Sequence, residues 1–522
     1  MDTKALRQKI LDLAIRGKLV PQDPNDEPAS VLLERIREQK QQMVKEGKLK
    51  KKDIKNDSVI FVGEDNLHYE KFPDSSVKCI EDEIPFELPA GWSWARVFSI
   101  TEELPYGTAK KSSPTGLVAV LRMGNIQSGE IDYSDLVYSS DRDDIVKYTL
   151  IKNDLLFNRT NSAEWVGKTA IYRGNMPAIY AGYLIRIRTF INAEYLNVVM
   201  NSGYAKSYCN SVKTDGVNQS NINAQKLGNF LVPIPSFGEQ HRISSNIADI
   251  LPRISIIQDE KDYITDLIQK TKSKILDLAI RGKLVPQNPD DEPASVLLDR
   301  IRAEKEELIN QGKIKRDKKE SAIFRGEDNS YYEKISDITE NIDDIIPFEI
   351  PVTWQWCRGY TCFAGMESKK PTGDFFDYID IDSIDNNNHK IKEPKHIPVS
   401  EAPSRANRAV QNGSVLFSLV RPYLENIALI DEKYSNSIAS TGFYVCNSTG
   451  ALYPVYMFFL MVSGYVVKGL NRFMKGDNSP SINKDNIENW LYPIPPFEEQ
   501  KIICQKIKSM FSEIEVIEKS LS

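Results

Sequence analysis

The sequence is poor in the residues that carry most protein chemistry. It has 6 cysteines and 4 histidines among 522 residues. No two cysteines form a C-x-x-C pair. Cys357 and Cys362 lie close together but lack a second pair, which excludes a disulfide scaffold and argues against a structural zinc site. The expected compartment is a reducing cytoplasm. His68, His241, His389 and His396 have no metal-ligand spacing. A phosphate-cradling loop is missing too: Gly167-Lys168-Thr169 ends like one, but Ser162 stands where its first glycine is required. Pro495-Pro496-Phe497 has the core of an amine-holding motif, yet Ile494 occupies the place of its polar residue. These gaps point away from a catalyst.

Long hydrophobic runs are scarce. Ile10–Ile15 is broken by Asp12 and followed by Arg16, so no secretory signal is expected. Ala451–Val467 approaches membrane-span length but contains Pro454, Ser463 and Gly464, which favours a buried helix. Strong positive charge is also absent, the formal net charge being −6. With 41% hydrophobic and 27% charged residues, the chain reads as globular, with three or four folded units at this length.

What the chain does contain is a second copy of itself. Lys9–Arg37 and Lys274–Arg302 agree at 26 of 29 positions, 265 residues apart. GEDNLHYEK at Gly63–Lys71 returns as GEDNSYYEK at Gly326–Lys334. IPFELPAGWSW at Ile84–Trp94 returns as IPFEIPVTWQW at Ile346–Trp356, and Gly216–Ile243 returns as Gly476–Ile503. Tyr195–Tyr204 matches Tyr456–Tyr465, and the first copy carries Asn197 and Asn201, which suit an amphipathic helix. Between these landmarks the halves diverge; Leu121–Asp132 has only a loose counterpart in Tyr378–Asp385. Uniform drift does not leave one segment nearly fixed and another barely alignable, so frame and insert are under different constraints.

From Ile243 positions stepping by 4 and 3, nine of the 11 of them Ile or Leu, run through Ile247, Ile250, Ile254, Ile257, Lys261, Ile264, Ile268, Thr271, Ile275 and Leu278. That 3.5-residue period predicts a coiled coil, interrupted or kinked near Pro252. Ile503, Ile507, Met510, Ile514, Ile517 and Leu521 restart the pattern, and Met1–Val20 matches its continuation at Asp266–Val285. The ends of the chain together rebuild the central segment, which predicts a circular, pseudo-two-fold organisation. A second frame helix is expected to begin near Pro28 and near Pro293.

A duplicated frame, two divergent inserts, a split coiled coil and the junctions Pro233-Ile234-Pro235…Glu239-Gln240 and Pro493-Ile494-Pro495…Glu499-Gln500 resemble the specificity (S) subunit of type I restriction-modification enzymes. The twin ILDLAIRGKLVPQ segments and the two IPFE…W-x-W segments belong to the same pattern. The resemblance implies an α+β chain in which two globular α/β target recognition domains are separated by long antiparallel coiled-coil helices. Its divisions are an N-terminal helical region 1–45, a linker 46–83, recognition domain 84–235, a central coiled coil 236–315, a linker 316–345, recognition domain 346–495 and a C-terminal helix 496–522. It further implies a non-catalytic subunit that reads a bipartite, asymmetric site on double-stranded DNA. Two methyltransferase subunits are the implied partners, two restriction subunits can join them, and no membrane is involved. No cofactor is expected on this chain; the complex uses AdoMet, and ATP with Mg when restriction subunits are present. The pattern alone also allows a coiled-coil scaffold displaying two protein-binding domains, or an enzyme with an unrecognised site.

Ile84–Pro235 has 15 basic and 13 acidic residues, and Ile346–Pro495 has 14 and 15, so neither insert is strongly basic. Arginine suits guanine, while asparagine and glutamine suit adenine in the major groove. The candidate DNA contacts of the first insert are Lys110, Lys111, Arg122, Asn125, Arg159, Thr160, Asn161, Asn218, Gln219 and Ser220. Those of the second are Lys369, Lys370, Arg421, Tyr423, Lys475, Asn478 and Ser479. Trp92, Trp94, Trp354 and Trp356 are expected in the core rather than stacked on bases.

Overall fold

The computed structural model describes residues 2–162, 165–216, 219–312 and 320–521. It divides into two units, Met1–Glu260 and Lys261–Ser522, each of mixed helix and sheet.

In the first unit the helix Thr3–Ile15 is capped by Asp2, whose carboxylate accepts from the Ala5 N–H at 3.0 Å. It stops at Gly17, whose φ of +64° few side chains adopt; a Cβ there would also stand 2.5 Å from Pro89. The second frame helix, Ala29–Lys45, begins directly after Pro28, as expected. The first of these lies along the long helix Phe237–Ile280 in the opposite sense, while the second packs against the strand Ser93–Arg96 and the turn after it. Thr3 donates to Gln258 at one end, while Asp26 accepts from Ser236 (2.6 Å) and Arg242 (2.6 Å) at the other. The second unit repeats the arrangement against Phe497–Leu521, with Lys272–Glu518 at 2.8 Å and Gln287–Glu499 at 2.7 Å. Part of the predicted stripe faces inward: Ile243, Ile247, Ile254, Ile268, Ile275, Ile503 and Ile507 are buried, while Ile257, Thr271 and Ile517 are exposed.

Two expectations are corrected. The long helix is not interrupted at Pro252, which sits inside its helical span. Proline removes one backbone donor there, and the flanking turns supply enough bonds to carry the helix past it. The segments read as linkers also contain folded structure. Val59–Val62, His68–Lys71 and Val77–Cys79 form an antiparallel three-stranded sheet, and Ser321–Arg325, Tyr331–Ile335 and Ile338–Asn341 form its twin. Their alternating short runs were masked by flanking lysines. Residues 313–319 of the second lysine-rich stretch lie outside the described residues.

Each divergent insert is clasped at a neck made of the strands at its two ends. Ser93–Arg96 pairs antiparallel with Leu231–Ile234, placing Trp94 opposite Pro233. Gln355–Arg358 pairs with Leu491–Ile494, placing Trp356 opposite Pro493. Beside each neck stands an arginine, buried in the case of Arg96 and half-buried in the case of Arg358. Arg96 reaches Glu70 at 2.8 Å and the Asn229 carbonyl at 2.7 Å; Arg358 reaches Glu333 at 2.7 Å and the Asn489 carbonyl at 2.7 Å. Phe86 packs edge-on to Trp94, and Phe348 to Trp356, both at 5.0 Å and 62°.

Beyond the neck the first insert has, among the described residues, a small sheet of Thr160–Asn161, Ser220–Asn221 and Thr214–Asp215 and two larger ones. One runs in the order Leu184–Ile187, Leu155–Asn158, Thr169–Ile171, Glu130–Ile131, Ile126–Gln127; the other Ala178–Tyr180, Val118–Leu121, Val137–Ser139. The second insert has Ile427–Leu429, Val415–Ser418, Phe443–Cys446, and a four-stranded sheet built around Phe375–Ile379 and Ile438–Ser440. Most pairings are antiparallel, with a parallel pair at the matching place in each insert: Val118–Leu121 with Ala178–Tyr180, and Phe375–Ile379 with Ile438–Ser440. The apolar stretch near residue 451 becomes two helices, Pro454–Met461 and Gly464–Asn471, matching Ala193–Met200 and Gly203–Val212. Among the described residues no helix is long and apolar enough to cross a membrane.

Candidate nucleic-acid interface

In the first insert the connection Ala181–Tyr183 gathers three of the candidate segments. The Gly182 N–H donates to the Thr108 carbonyl at 2.7 Å, on the loop that leads to Lys110 and Lys111. The Ala181 N–H donates to Leu121 at 2.9 Å, one residue before Arg122, and the Arg159 N–H donates to Tyr183 at 3.0 Å. A fourth segment is tied on by strand pairing, Thr160 opposite Asn221 and Asn161 opposite Ser220. The Asn221 amide also donates to the Thr160 hydroxyl at 2.8 Å. Residues distant in sequence thus share one polar end of the insert.

Their side chains are not equally available. Lys111 and Gln219 are exposed. Lys110 is held by Asp141 at 2.7 Å, and that hydrogen bond raises the lysine pKa above its usual value. Arg122 is paired with Asp135 at 2.8 Å. Asn125 is corrected from contact to brace: it is 3% exposed, accepts from the Arg122 N–H at 2.8 Å and donates to the carbonyls of Asp132 and Asp135 at 2.9 and 2.8 Å. Ser220 is likewise buried, its hydroxyl donating to Asp215. Both were chosen because their residue types suit bases, and burial overrides type. Asn218 lies outside the described residues.

The second insert repeats the platform. Val420 bridges to Ser481, which also bridges to Lys475, so the Arg421 and Lys475–Ser479 segments meet. The Ile482 N–H donates to Leu419 at 2.9 Å, as Ile222 does to Arg159 at 2.9 Å, which makes Arg159 and Leu419 equivalent positions. Asn161 then corresponds to Arg421. Arg421 has a left-handed backbone, φ 47°, fixed by its N–H on Pro480 (2.7 Å) and its guanidinium on the Asn478 carbonyl (3.0 Å). Tyr423, Asn478, Ser479 and the Lys475 side chain are exposed. Lys369 and Lys370 are exposed on the loop tied to Asn407. The turn at Arg122 also has its counterpart, Asp380, whose N–H donates to Ser383 at 3.2 Å; the charge is reversed on the same scaffold.

Sequence reasoning missed the aromatic side chains around these loops. Tyr106 is 41% and Tyr183 53% exposed, both beside Arg159, and Phe473 is 43% exposed two residues before Lys475. Trp165 is exposed under the Lys168 ammonium, 3.6 Å from its ring centre. The signal available was interleaving of aromatic with basic residues, as in Tyr106…Lys110 and Phe473…Lys475. Arg405 was also missed, although its backbone accepts from Thr441 in the turn matching Ala181–Tyr183. Trp92, Trp94, Trp354 and Trp356 are all buried, as expected.

The chain is similar to several known proteins. Residues 359–522 match the family model described as the type I restriction modification DNA specificity domain. The chain is 28% identical over 570 residues to the type I restriction enzyme EcoAI specificity subunit of Escherichia coli, covering 97% of this chain and 88% of that one. It is 27% identical to the EcoEI specificity subunit of Escherichia coli, covering 80% and 73%. Among solved structures it is similar to the HsdS subunit from Thermoanaerobacter tengcongensis, at 33% identity and a TM-score of 0.32, covering 33% of this chain and 46% of that one. Beside the duplicated frame and twin necks stand these likenesses: the chain is similar to specificity subunits of type I restriction-modification enzymes, and its residues 359–522 match the DNA specificity domain.

Proposed function

We propose that the chain reads a bipartite, asymmetric sequence on double-stranded DNA, one half with 84–235 and the other with 346–495. The observation that carries this is the twin platform: two loops joined at the same scaffold position in each insert, with different side chains on each. Equal scaffolds with unequal surfaces suit two related tasks on two different sequences. Lys111, Arg159, Thr160, Asn161 and Gln219 are the first reader's contacts. Arg421, Tyr423, Lys475, Asn478 and Ser479 are the second's, with Lys369 and Lys370 on phosphate.

The frame, in this reading, is the part that assembles with protein. Two methyltransferase subunits bind it, and two restriction subunits can join. The internal repeat supports a circular, pseudo-two-fold frame whose antiparallel helices set the half-site spacing. AdoMet, and ATP with Mg for restriction, belong to those partners and not to this chain; cytoplasmic placement follows from the task. The test is coexpression with the methyltransferase partner and genome-wide mapping of methylated adenine. One bipartite motif is expected. Methylation without a defined motif overturns the reading.

A further inference from the structure

Arg159 differs from the arginines around it. In the same insert Arg96, Arg122, Arg173, Arg186 and Arg188 each pair with a carboxylate. Arg159 pairs with none among the described residues. Its guanidinium lies over the Tyr106 ring at 4.6 Å, and that ring is itself fixed by the Ala224 N–H, which donates to the Tyr106 hydroxyl at 3.0 Å. One terminal N–H makes a long bond to the Gly182 carbonyl at 3.4 Å, and the Nε is buried with no acceptor. The orphan Nε is shared with Arg122 and Arg186; what sets Arg159 apart is a half-buried fork with no carboxylate partner, which an acceptor arriving from outside would satisfy.

We infer that Arg159 is the guanine-reading residue of the first insert, its fork meeting O6 and N7 of one guanine in the half-site. This rests on the DNA-reading function proposed above. A flat, ring-clamped guanidinium set back among Thr160, Asn221 and Gln219 suits a base edge. The nearby Lys110 and Arg122 are already neutralised by aspartates, which leaves Arg159 and the exposed Lys111 without a carboxylate partner among the described residues, and of these two only the arginine carries a fork. Leu419 stands at its place in the second insert and offers no donor, so the guanine belongs to one half-site only.

The experiment compares complexes carrying the unmodified chain, Arg159→Lys and Arg159→Ala, by methylated-adenine mapping and by binding to duplexes with single base changes in the site. Lysine keeps the charge but loses the fork. Both variants should lose preference for one guanine in one half-site, roughly ten- to hundredfold. The other half-site should stay unchanged, which reports an assembled complex. A lysine variant with an unaltered motif, or an alanine variant weakened equally at every sequence, makes Arg159 a phosphate contact and overturns the assignment. If a variant fails to methylate, its duplex-binding preferences decide between these outcomes. Absence of any motif from the unmodified chain overturns the DNA-reading function itself.

Discussion

Trp92 donates its indole N–H to the Glu239 carboxylate at 2.9 Å, across the junction between the first insert and the frame. Trp354 and Glu499 repeat the bond at 2.9 Å. Each glutamate opens the long helix of its unit, and the glutamine after it reaches back: Gln240 to the Pro235 carbonyl at 3.1 Å, Gln500 to Pro495 at 3.0 Å. The Glu-Gln pair is therefore a staple holding neck to helix. Burial raises the pKa of both glutamates. Trp92→Phe should cost about 1–3 kcal/mol by leaving Glu239 buried without its donor, read by urea unfolding. Glu239→Gln, which keeps an acceptor and removes the charge, should cost far less.

The brace at Asn125 makes the opposite prediction to a base contact. Asn125→Ala strands backbone groups of the 122–135 turn and should lower stability by about 1–3 kcal/mol. The methylation motif of the assembled complex should not change. A changed base preference at full stability would restore Asn125 as a reader.

Lys40 is 1% exposed, with its ammonium donating to Asp57 and to the Phe98 carbonyl, both at 2.7 Å. Burial pushes the Asp57 carboxyl up to about 6, against partial opposition from Lys40. A carboxyl raised in the folded state contributes stability that is complete below its ordinary pKa and is lost as pH rises through about 6. Asp57→Asn should flatten the change in melting temperature between about pH 4 and pH 7. An unchanged slope would assign it to other groups.

The necks superpose in register, Arg96 opposite Leu231 and Arg358 opposite Leu491. A chain carrying residues 359–490 in place of 97–230 should therefore fold and direct methylation to a site whose two halves are the same. A motif still asymmetric in base content would refute independent reading by the two inserts.

Charge sets the last expectation. With Lys110 and Arg122 neutralised and neither insert strongly basic, the isolated chain should bind DNA weakly. The slope of log affinity against log salt should be shallow and should steepen when methyltransferase subunits join. Equal slopes for chain and complex would place the phosphate contacts on this chain.

The frame was legible because its repeat and its heptad period are properties of order along the chain. The 3.5-residue step exposed the buried isoleucines, and the tryptophans could be assigned to the core from their duplicated places. The small sheets at Val59–Cys79 and Ser321–Asn341 were not legible, because strands of 3–5 residues give too few alternations to outweigh the lysines around them. Residue type picked out the Arg159 and Arg421 loops, and the fold brings each of them against a second candidate loop. It failed at Asn125 and Ser220, where side-chain burial is decided by partners far along the chain. Tyr106 and Tyr183 escaped notice because their role comes from their position around Arg159, which only the fold reveals.

Because the two ends of each insert leave the frame side by side at the neck, the polypeptide between them can grow or shrink without moving its anchorage. The entropy of closing such a loop rises only slowly with its length. A recognition surface of quite different size can thus hang from an unaltered hinge of two strands, and novelty at the tip carries no penalty at the base.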